Sequence, residues 1–244
     1  QLEAAYGKGM MAEGGAEGVE LMFDAVPIDR KTALDIGCGL GGVPFYLARA
    51  HGMDITGLEV NPWMVAEAEK RIPLDLMGKV RFVLSTSNCC WPFKSESYDL
   101  IYSKGVLTHV QSKNEIWKEC HRLLKNHGFL VITDWLSAKD RCWGENIQKL
   151  IDLEHLALFP ENEEGYLGSL QKEGFTILSV RDESAVYQKF NEEIALRLQD
   201  LHKLGCNEGC FEEHERIAAV EGYQAIARAL EIGELRVMRF VVKK

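Results

Sequence analysis

A group of glycines flanked by two carboxylates, in the first quarter of the chain, has the residue types needed to bind a nucleoside-containing ligand. The glycines stand at positions 37, 39, 41 and 42, just after Asp35, and Glu59 follows further along. Glycines between a strand and a helix allow a tight turn and let the backbone approach a ligand closely. The spacing of Gly37, Gly39 and Gly42 satisfies the pattern G-x-G-x-x-G.

This glycine pattern is compatible with two cofactors. It could bind a dinucleotide, with the pyrophosphate at the helix N-terminus, or equally S-adenosylmethionine. The Asp35 carboxylate favours the second, because it would attract a cationic ammonium and repel a pyrophosphate. Glu59 could accept hydrogen bonds from both hydroxyls of a ribose, which both cofactors contain. Glu59 therefore predicts a nucleoside site without choosing between them.

His109 is a candidate proton acceptor, because it lies just past a predicted strand that ends at Tyr102. An amine that is protonated near neutral pH must lose its proton before it can attack a methyl group, and histidine titrates in that range. Methyl transfer from a sulfonium is an in-line displacement, in which positioning supplies much of the acceleration. His109 could alternatively cap a helix or pack beneath a lid.

The elements that must position these residues alternate between strands and helices, as in a parallel sheet covered by helices. The sequence predicts strands over residues 32–36, 53–59, 80–84, 98–102 and 129–134. Between them it predicts helices over residues 43–50, 62–71 and 115–125, the last ended by His127 and Gly128. Further helices over 143–158, 162–173, 188–204 and 211–231, with strands over 175–182 and 236–242, predict a helical lid above the carboxyl edge of the sheet.

Composition excludes several classes of protein. The chain of 244 residues has 37 acidic and 28 basic residues, a formal charge of −9, and no run of bases that would attract a nucleic acid. No apolar run is long enough to span a membrane, and residues 1–6 lack the basic region followed by an apolar one that is typical of a signal peptide. The seven cysteines, including Cys206 and Cys210, lack the spacing of a zinc site. We therefore expect a cytoplasmic protein with reduced thiols, no metal, no nucleic-acid partner and no membrane partner.

Several motifs together resemble those of class I S-adenosylmethionine-dependent methyltransferases over residues 31–135. They are the glycine turn after Asp35, the segment Tyr98-Asp99-Leu100-Ile101, and the segment Leu123-Leu124-Lys125-Asn126-His127-Gly128-Phe129-Leu130. The resemblance implies an α/β fold with a Rossmann-like seven-stranded sheet, helices on both faces and a helical lid. It also implies S-adenosylmethionine as cofactor, S-adenosylhomocysteine as product, and a cofactor site formed by Asp35, Gly37, Gly39, Gly41, Glu59, Val60, Ser87, Asn88, Ser103 and Lys104.

Within this family the chain is similar to the phosphoethanolamine and sarcosine/dimethylglycine N-methyltransferases. The similarity is carried by the N-terminal segment from Tyr6 to Gly15, by Tyr102-Ser103-Lys104-Gly105-Val106-Leu107-Thr108-His109, and by Ile132-Thr133-Asp134-Trp135. It implies that His109 is catalytic and that the acceptor contacts Tyr6, Met11, His109, Trp135 and Arg228.

The chain also departs from the phosphoethanolamine pattern. Lys104 and Gly105 replace an Arg-Asp pair, Trp135 replaces a tyrosine, and Leu156 and Leu158 fall near the positions that hold the phosphate. The indole of Trp135 could still receive a cationic head group. We therefore expect the chemistry of this group with an acceptor other than phosphoethanolamine.

The sequence thus predicts a single methyltransferase domain over residues 1–244. It divides into an N-terminal lid (1–22), a cofactor-binding core (31–136), and a helical substrate lid with the last strands (137–244). The expected reaction is methyl transfer to a small soluble acceptor, preferably an amine nitrogen. The alternatives are a sterol- or lipid-ring-type C-methyltransferase, an NAD-dependent oxidoreductase, and a protein that binds S-adenosylmethionine without catalysis.

Overall fold

The computed structural model describes residues 6, 10–138, 141–203 and 213–244. Residues 7–9 of the predicted N-terminal lid, and Cys206 and Cys210, lie outside the described residues. Within the described ranges, seven strands form one sheet: β1 (Thr32–Ile36), β2 (Asp54–Glu59), β3 (Val80–Leu84), β4 (Tyr98–Lys104), β5 (Leu124–Ser137), β6 (Thr176–Asp182) and β7 (Leu235–Lys243).

The strand order of the sheet is β3-β2-β1-β4-β5-β7-β6. The first five strands are parallel, and β7 is antiparallel to both β5 and β6. The strands that follow β1 are added first on one side of it (β2, β3) and then on the other (β4, β5). Ligands of open α/β sheets bind at such a switch point, outside the carboxyl ends of the strands. The predicted α/β fold, a Rossmann-like seven-stranded sheet with helices, is confirmed.

Eight helices accompany the sheet in the described part of the chain. They are α1 (Gly15–Phe23), α2 (Gly42–His51), α3 (Pro62–Lys70), α4 (Asn114–Leu123), α5 (Glu145–Glu154), α6 (Glu163–Lys172), α7 (Ser184–Lys203) and α8 (Glu213–Glu231). The predicted helices match α2 to α8 with shifted ends, whereas α1 was not predicted. Short 3-10 turns at Leu74–Leu76 and Leu107–His109 were not predicted either.

Alternating side chains on the parallel strands build a core on each face of the sheet. On β4, Leu100 and Tyr102 join one core and Ile101 joins the other, because successive side chains of a strand point to opposite faces. A third core unites α5, α7 and α8 with β7 through residues such as Ile147, Phe190 and Ile226. This third core forms the helical layer that the sequence predicts as a lid.

The predicted C-terminal end of the helix over residues 115–125, which corresponds to α4, is wrong. The helix stops at Leu123, and β5 begins at Leu124, so His127 and Gly128 lie inside a strand rather than after a helix. The strand is irregular there, since the pairing with β4 shifts between Tyr98 and Leu100 and His127 has a φ of 67°. A side chain at Gly128 would lie 3.0 Å from Leu124, so close packing at the irregularity explains this glycine.

None of the helices that the structure describes has the length and apolar character needed to cross a membrane. The cysteines at positions 38, 89, 90, 120 and 142 are free thiols. Within the described ranges, no group of three or more histidine, cysteine or acidic side chains could hold a metal ion.

Candidate active site

The glycine turn connects β1 to α2 in a conformation that favours glycine. Gly37, Gly39 and Gly41 have φ values of 77°, 53° and 86°, in the left-handed region that other residues rarely adopt. A Cβ atom at Gly37 would lie 2.5 Å from the side chain of Val106, and one at Gly39 would lie 2.8 Å from Sδ of Met11. The side chains of Val106 and Met11 therefore leave no room for a larger residue at Gly37 or Gly39.

Glu59, at the carboxyl end of β2, is buried and tied to this turn. Its Oε2 accepts a hydrogen bond of 3.0 Å from the Gly39 N–H. Its Oε1 accepts from the N–H groups of Val60 and Asn61 at 2.8 and 3.0 Å. An ionised carboxylate offers about four acceptor positions, so the carboxylate is oriented and can still receive a hydroxyl.

Asp35 is buried on β1, next to the turn. Burial raises the pKa of its carboxyl to about 8; the nearby Glu59 carboxylate adds to the shift and the Tyr102 hydroxyl opposes it. Asp35 thus carries a proton at neutral pH until a cation arrives beside it. A carboxyl group with so strongly raised a pKa, near the carboxyl ends of parallel strands, is typical of a functional site.

Ser103 and Lys104, at the end of β4, are both buried but bind to different parts of the chain. The Ser103 hydroxyl donates to the carbonyl of Ile36 at 3.1 Å, which joins the ends of β4 and β1. The Lys104 ammonium donates to the carbonyl of Glu13 at 2.7 Å and lies 5.2 Å from the centre of the Tyr187 ring. Burial lowers the pKa of Lys104 to about 8, opposed by the charges of Glu13 and Glu183. Lys104 therefore fastens the N-terminal segment to the sheet.

The remaining predicted cofactor residues lie at the surface near the ends of β2 and β3. Val60 is 59% exposed, and Ser87 and Asn88 are exposed as well. The Ser87 carbonyl accepts a hydrogen bond of 2.8 Å from the indole of Trp91. Ser87 thus anchors the loop after β3, and its side chain bonds with the Cys89 N–H.

A cavity of about 470 Å³ adjoins the glycine turn. Four of the five predicted acceptor residues lie on its wall: Tyr6, Met11, His109 and Trp135. Arg228 is not among them, because it lies exposed on α8 and pairs with Glu231 at 2.5 Å. The helical spacing of α8 turns Arg228 away from the face that carries Gly222, Tyr223 and Ile226 to the cavity.

A backbone carbonyl fixes the tautomer of the neutral His109 ring. Its Nδ1 lies 3.1 Å from the carbonyl oxygen of Ala157, and since a carbonyl can only accept, Nδ1 carries the proton. Nε2 of the neutral ring then has a free lone pair. Although the ring keeps an exposed surface at the cavity, burial lowers its pKa below the usual 6.5, and the Ala157 carbonyl opposes part of this shift. His109 is therefore a neutral proton acceptor at pH 7.

Asp134 positions the turn that carries His109, a role that sequence reasoning missed. Its Oδ1 accepts from the Thr108 N–H at 3.1 Å, and its Oδ2 accepts from the Tyr166 hydroxyl at 2.7 Å. Burial raises the pKa of this carboxyl to about 6, while Tyr166 and Lys113 oppose the shift. The sequence showed Asp134 only as part of a family motif, since its partners come from distant segments.

The glycine turn and the cavity are neighbours. The Met11 side chain approaches Gly39 and also lines the cavity. Val106 packs on Gly37, while Gly105 and Thr108 on either side of it line the cavity. A ligand on the glycine turn would therefore lie next to a second ligand in the cavity.

Comparison with known proteins finds similarity to methyltransferases. Residues 34–132 match the family model of the methyltransferase domain. The chain is 24% identical over 165 residues to a phosphoethanolamine N-methyltransferase of Plasmodium falciparum, covering 66% of this chain and 60% of that protein. It is 34% identical over 110 residues to a 2-methyl-6-phytyl-1,4-hydroquinone methyltransferase of Synechocystis, covering 45% of this chain and 34% of that one.

The fold matches a solved structure along its whole length. Phosphoethanolamine N-methyltransferase 2 of Haemonchus contortus, in complex with phosphomonomethylethanolamine and S-adenosylhomocysteine, superposes with a TM-score of 0.89 at 19% identity. The match covers 100% of this chain and 56% of that one. This chain therefore spans at most about three fifths of the length of these three proteins.

Proposed function

We propose that this chain transfers a methyl group from S-adenosylmethionine to the amine nitrogen of a small soluble acceptor, because residues 34–132 match the family model of the methyltransferase domain. The proposal rests chiefly on one observation: the Met11 side chain contacts the glycine turn and also lines the His109 cavity. A cofactor on the turn would then lie next to an acceptor in the cavity.

The residues at the sheet edge fit the cofactor. Glu59 would hold the ribose, Asp35 would pair with the ammonium, and the turn at Gly37, Gly39 and Gly41 would admit the ligand close to the backbone. When bound, the sulfonium of S-adenosylmethionine supplies an electrophilic methyl group. Lys104 and the N-terminal segment it fastens would exclude water from this edge.

His109 would accept the proton of the acceptor amine. The Ala157 carbonyl keeps the proton on Nδ1, so Nε2 is the atom that receives a proton. Asp134 holds the Thr108–His109 turn in place through the Thr108 N–H. Once deprotonated, the amine has the lone pair needed for an in-line displacement.

A direct test combines cofactor binding with turnover. Calorimetry should show binding of S-adenosylhomocysteine but not of NAD, and incubation with S-adenosylmethionine and a panel of small amines should yield N-methylated product by mass spectrometry. Binding of NAD would contradict the cofactor assignment. Methylation of neutral carbon acceptors alone would favour the C-methyltransferase, and binding without any turnover would favour a binding protein.

The cavity itself supports the amine over the carbon acceptor. Its wall carries the carboxylates of Glu13, Glu154 and Glu215 and an imidazole, which an apolar ring or lipid does not require. We also propose the sequence-based division into lid (1–22), core (31–136) and substrate lid (137–244), and the cytoplasmic location, as parts of this assignment.

Replacing Glu59 with alanine should weaken the binding of S-adenosylhomocysteine by about 1–3 kcal/mol, roughly 5- to 150-fold. The substitution removes the proposed ribose acceptor and leaves the Gly39 N–H without its partner. Calorimetry measures the change. Glu69→Ala, at an exposed site on α3, is the matched control, and equal affinities of the two variants would contradict the role of Glu59.

Replacing Met11 with alanine should weaken the binding of S-adenosylhomocysteine by about 1 kcal/mol, or about fivefold, because a partly buried apolar contact over the turn is lost. The control is Met77→Ala, since Met77 is 68% exposed and lies far along the chain. If Met11→Ala bound the product as tightly as Met77→Ala does, the N-terminal segment would not cover the cofactor.

A further inference from the structure

The charged side chains that the structure describes on the cavity wall are all carboxylates, and the imidazole of His109 is neutral. Glu13, Glu154 and Glu215 line the cavity, and none of the described lining residues is a lysine or an arginine. A phosphate or carboxylate in this cavity would lose its water without gaining a cationic partner among these described residues, and it would face like charges.

Glu154, at the C-terminus of α5, is the carboxylate best able to receive a cation. Although the side chain keeps an exposed surface, burial raises its pKa, and no cation among the described residues opposes that shift. Glu13 differs, because its charge acts on Lys104 and raises the pKa of that ammonium. Among the described residues, the negative charge of Glu13 is therefore partly offset, whereas that of Glu154 is not.

Aromatic rings line the same cavity. Tyr6 and Tyr223 pack edge to face with centroids 5.8 Å apart, and Trp135 lies on the wall as well. The Glu154 carboxylate lies next to this pair, since a Cβ atom at Gly222, the neighbour of Tyr223 in the chain, would lie 3.3 Å from its Oε1. Ring faces next to a carboxylate are a recurrent arrangement for binding ammonium groups.

The rest of the wall offers little to an anion. Leu156 and Leu158, at the positions where the sequence comparison expects phosphate ligands, both line the cavity, together with Leu150 and Ile226. Besides the tyrosine hydroxyls of Tyr6 and Tyr223, the wall carries the buried hydroxyl of Thr108, which has no hydrogen-bond partner among the described residues. Hydroxyl groups can hydrogen-bond to a polar group but cannot neutralise the charge of a phosphate.

We propose that the acceptor is a cationic amine without phosphate or carboxylate groups, and that Glu154, beside Tyr6 and Tyr223, pairs with its charge. This proposal rests on the proposed methyl transfer and narrows its substrate class. It also separates this chain from the Haemonchus contortus protein, which was crystallised with phosphomonomethylethanolamine.

The test uses the full chain saturated with S-adenosylhomocysteine and three probes of similar shape, measured by calorimetry. Choline carries a permanent cation, phosphocholine adds a phosphate, and 3,3-dimethylbutanol is the neutral isostere of choline. We expect choline to bind about tenfold or more tightly than either of the other two. A permanent cation avoids the deprotonation step, so the result does not depend on His109.

The variant Glu154→Gln keeps the shape of the side chain and removes its charge. It should weaken choline binding about five- to tenfold and leave the affinity for S-adenosylhomocysteine unchanged, since Glu154 lies in the cavity and not at the glycine turn. The control is Glu145→Gln, at the opposite end of α5, where Glu145 is exposed and paired with Lys149.

Three results would overturn the proposal while S-adenosylhomocysteine still binds: no binding of choline, equal or tighter binding of phosphocholine or the neutral isostere, or unchanged choline affinity in Glu154→Gln. Failure of the chain to bind S-adenosylhomocysteine would instead overturn the proposed methyl transfer itself, and this proposal with it. The two failures are therefore distinguished by the first titration.

Discussion

Replacing His109 with alanine is expected to lower turnover by about 10²–10⁴-fold, the usual loss when a general base is removed. The affinity for S-adenosylhomocysteine should be unchanged, because the glycine turn, Asp35 and Glu59 form a separate group of residues. The measurement is single-turnover methylation of an amine acceptor. His214→Ala is the matched control, since His214 is exposed on α8.

Replacing His109 with asparagine separates proton transfer from orientation. An amide can hydrogen-bond to the acceptor but cannot take its proton at neutral pH. Burial holds the pKa of His109 below 6.5, so the rate for the natural chain should fall only as the pH drops through that lowered pKa, where the ring becomes charged. His109→Asn should lose this acidic limb. Near-normal turnover in the asparagine variant would exclude the base role, and near-normal turnover in the alanine variant would exclude both roles.

Replacing Asp35 with asparagine is expected to weaken S-adenosylhomocysteine binding by about 2–5 kcal/mol above pH 8, or about 30- to 5,000-fold. The side chain is buried, so its loss leaves the ligand's ammonium without a charged partner in a site of low polarity. Asp54→Asn, at the exposed start of β2, provides the control. Equal affinities for the two variants would contradict the pairing with Asp35.

The same carboxyl predicts a pH dependence of binding. Before the ligand binds, the pKa of Asp35 is about 8, so at neutral pH the carboxyl is protonated. Pairing with an ammonium favours the ionised form, so binding releases a proton and affinity rises with pH, by at most about tenfold per unit, up to about pH 8. Calorimetry in buffers of different ionisation enthalpy counts the released proton. If Asp35→Asn still released a proton on binding, the proton would come from a group other than Asp35.

Local patterns in the sequence determined most of the fold. The run 32–36 corresponds to β1, which is buried, whereas 80–84 corresponds to β3, an edge strand in which buried and more exposed residues alternate. A glycine cluster marks the turn from β1 to the next helix. The error at His127 and Gly128 has a physical cause. A glycine after a helix and a glycine in a strand irregularity look alike in sequence, and only the pairing of Leu124 with Tyr98 distinguishes them.

The sequence also located the edge of the sheet where chemistry is expected. Asp35, Glu59 and His109 each follow or end a predicted parallel strand, and the carboxyl ends of parallel strands share one edge. That rule predicts that the three residues lie near one another, even before any of their contacts are known. Arg228 shows the limit of the approach, since a position inferred from spacing within a long helix depends on which face that helix presents.

What only the tertiary structure decided is the environment of each group. The tautomer of His109 depends on the Ala157 carbonyl, 48 residues away along the chain, and the turn beneath it depends on Asp134. The acidic character of the cavity comes from Glu13, Glu154 and Glu215, which belong to three separate segments. Charge and burial act over a few ångströms in space, so side chains that are distant in sequence determine the protonation and binding preference of the site.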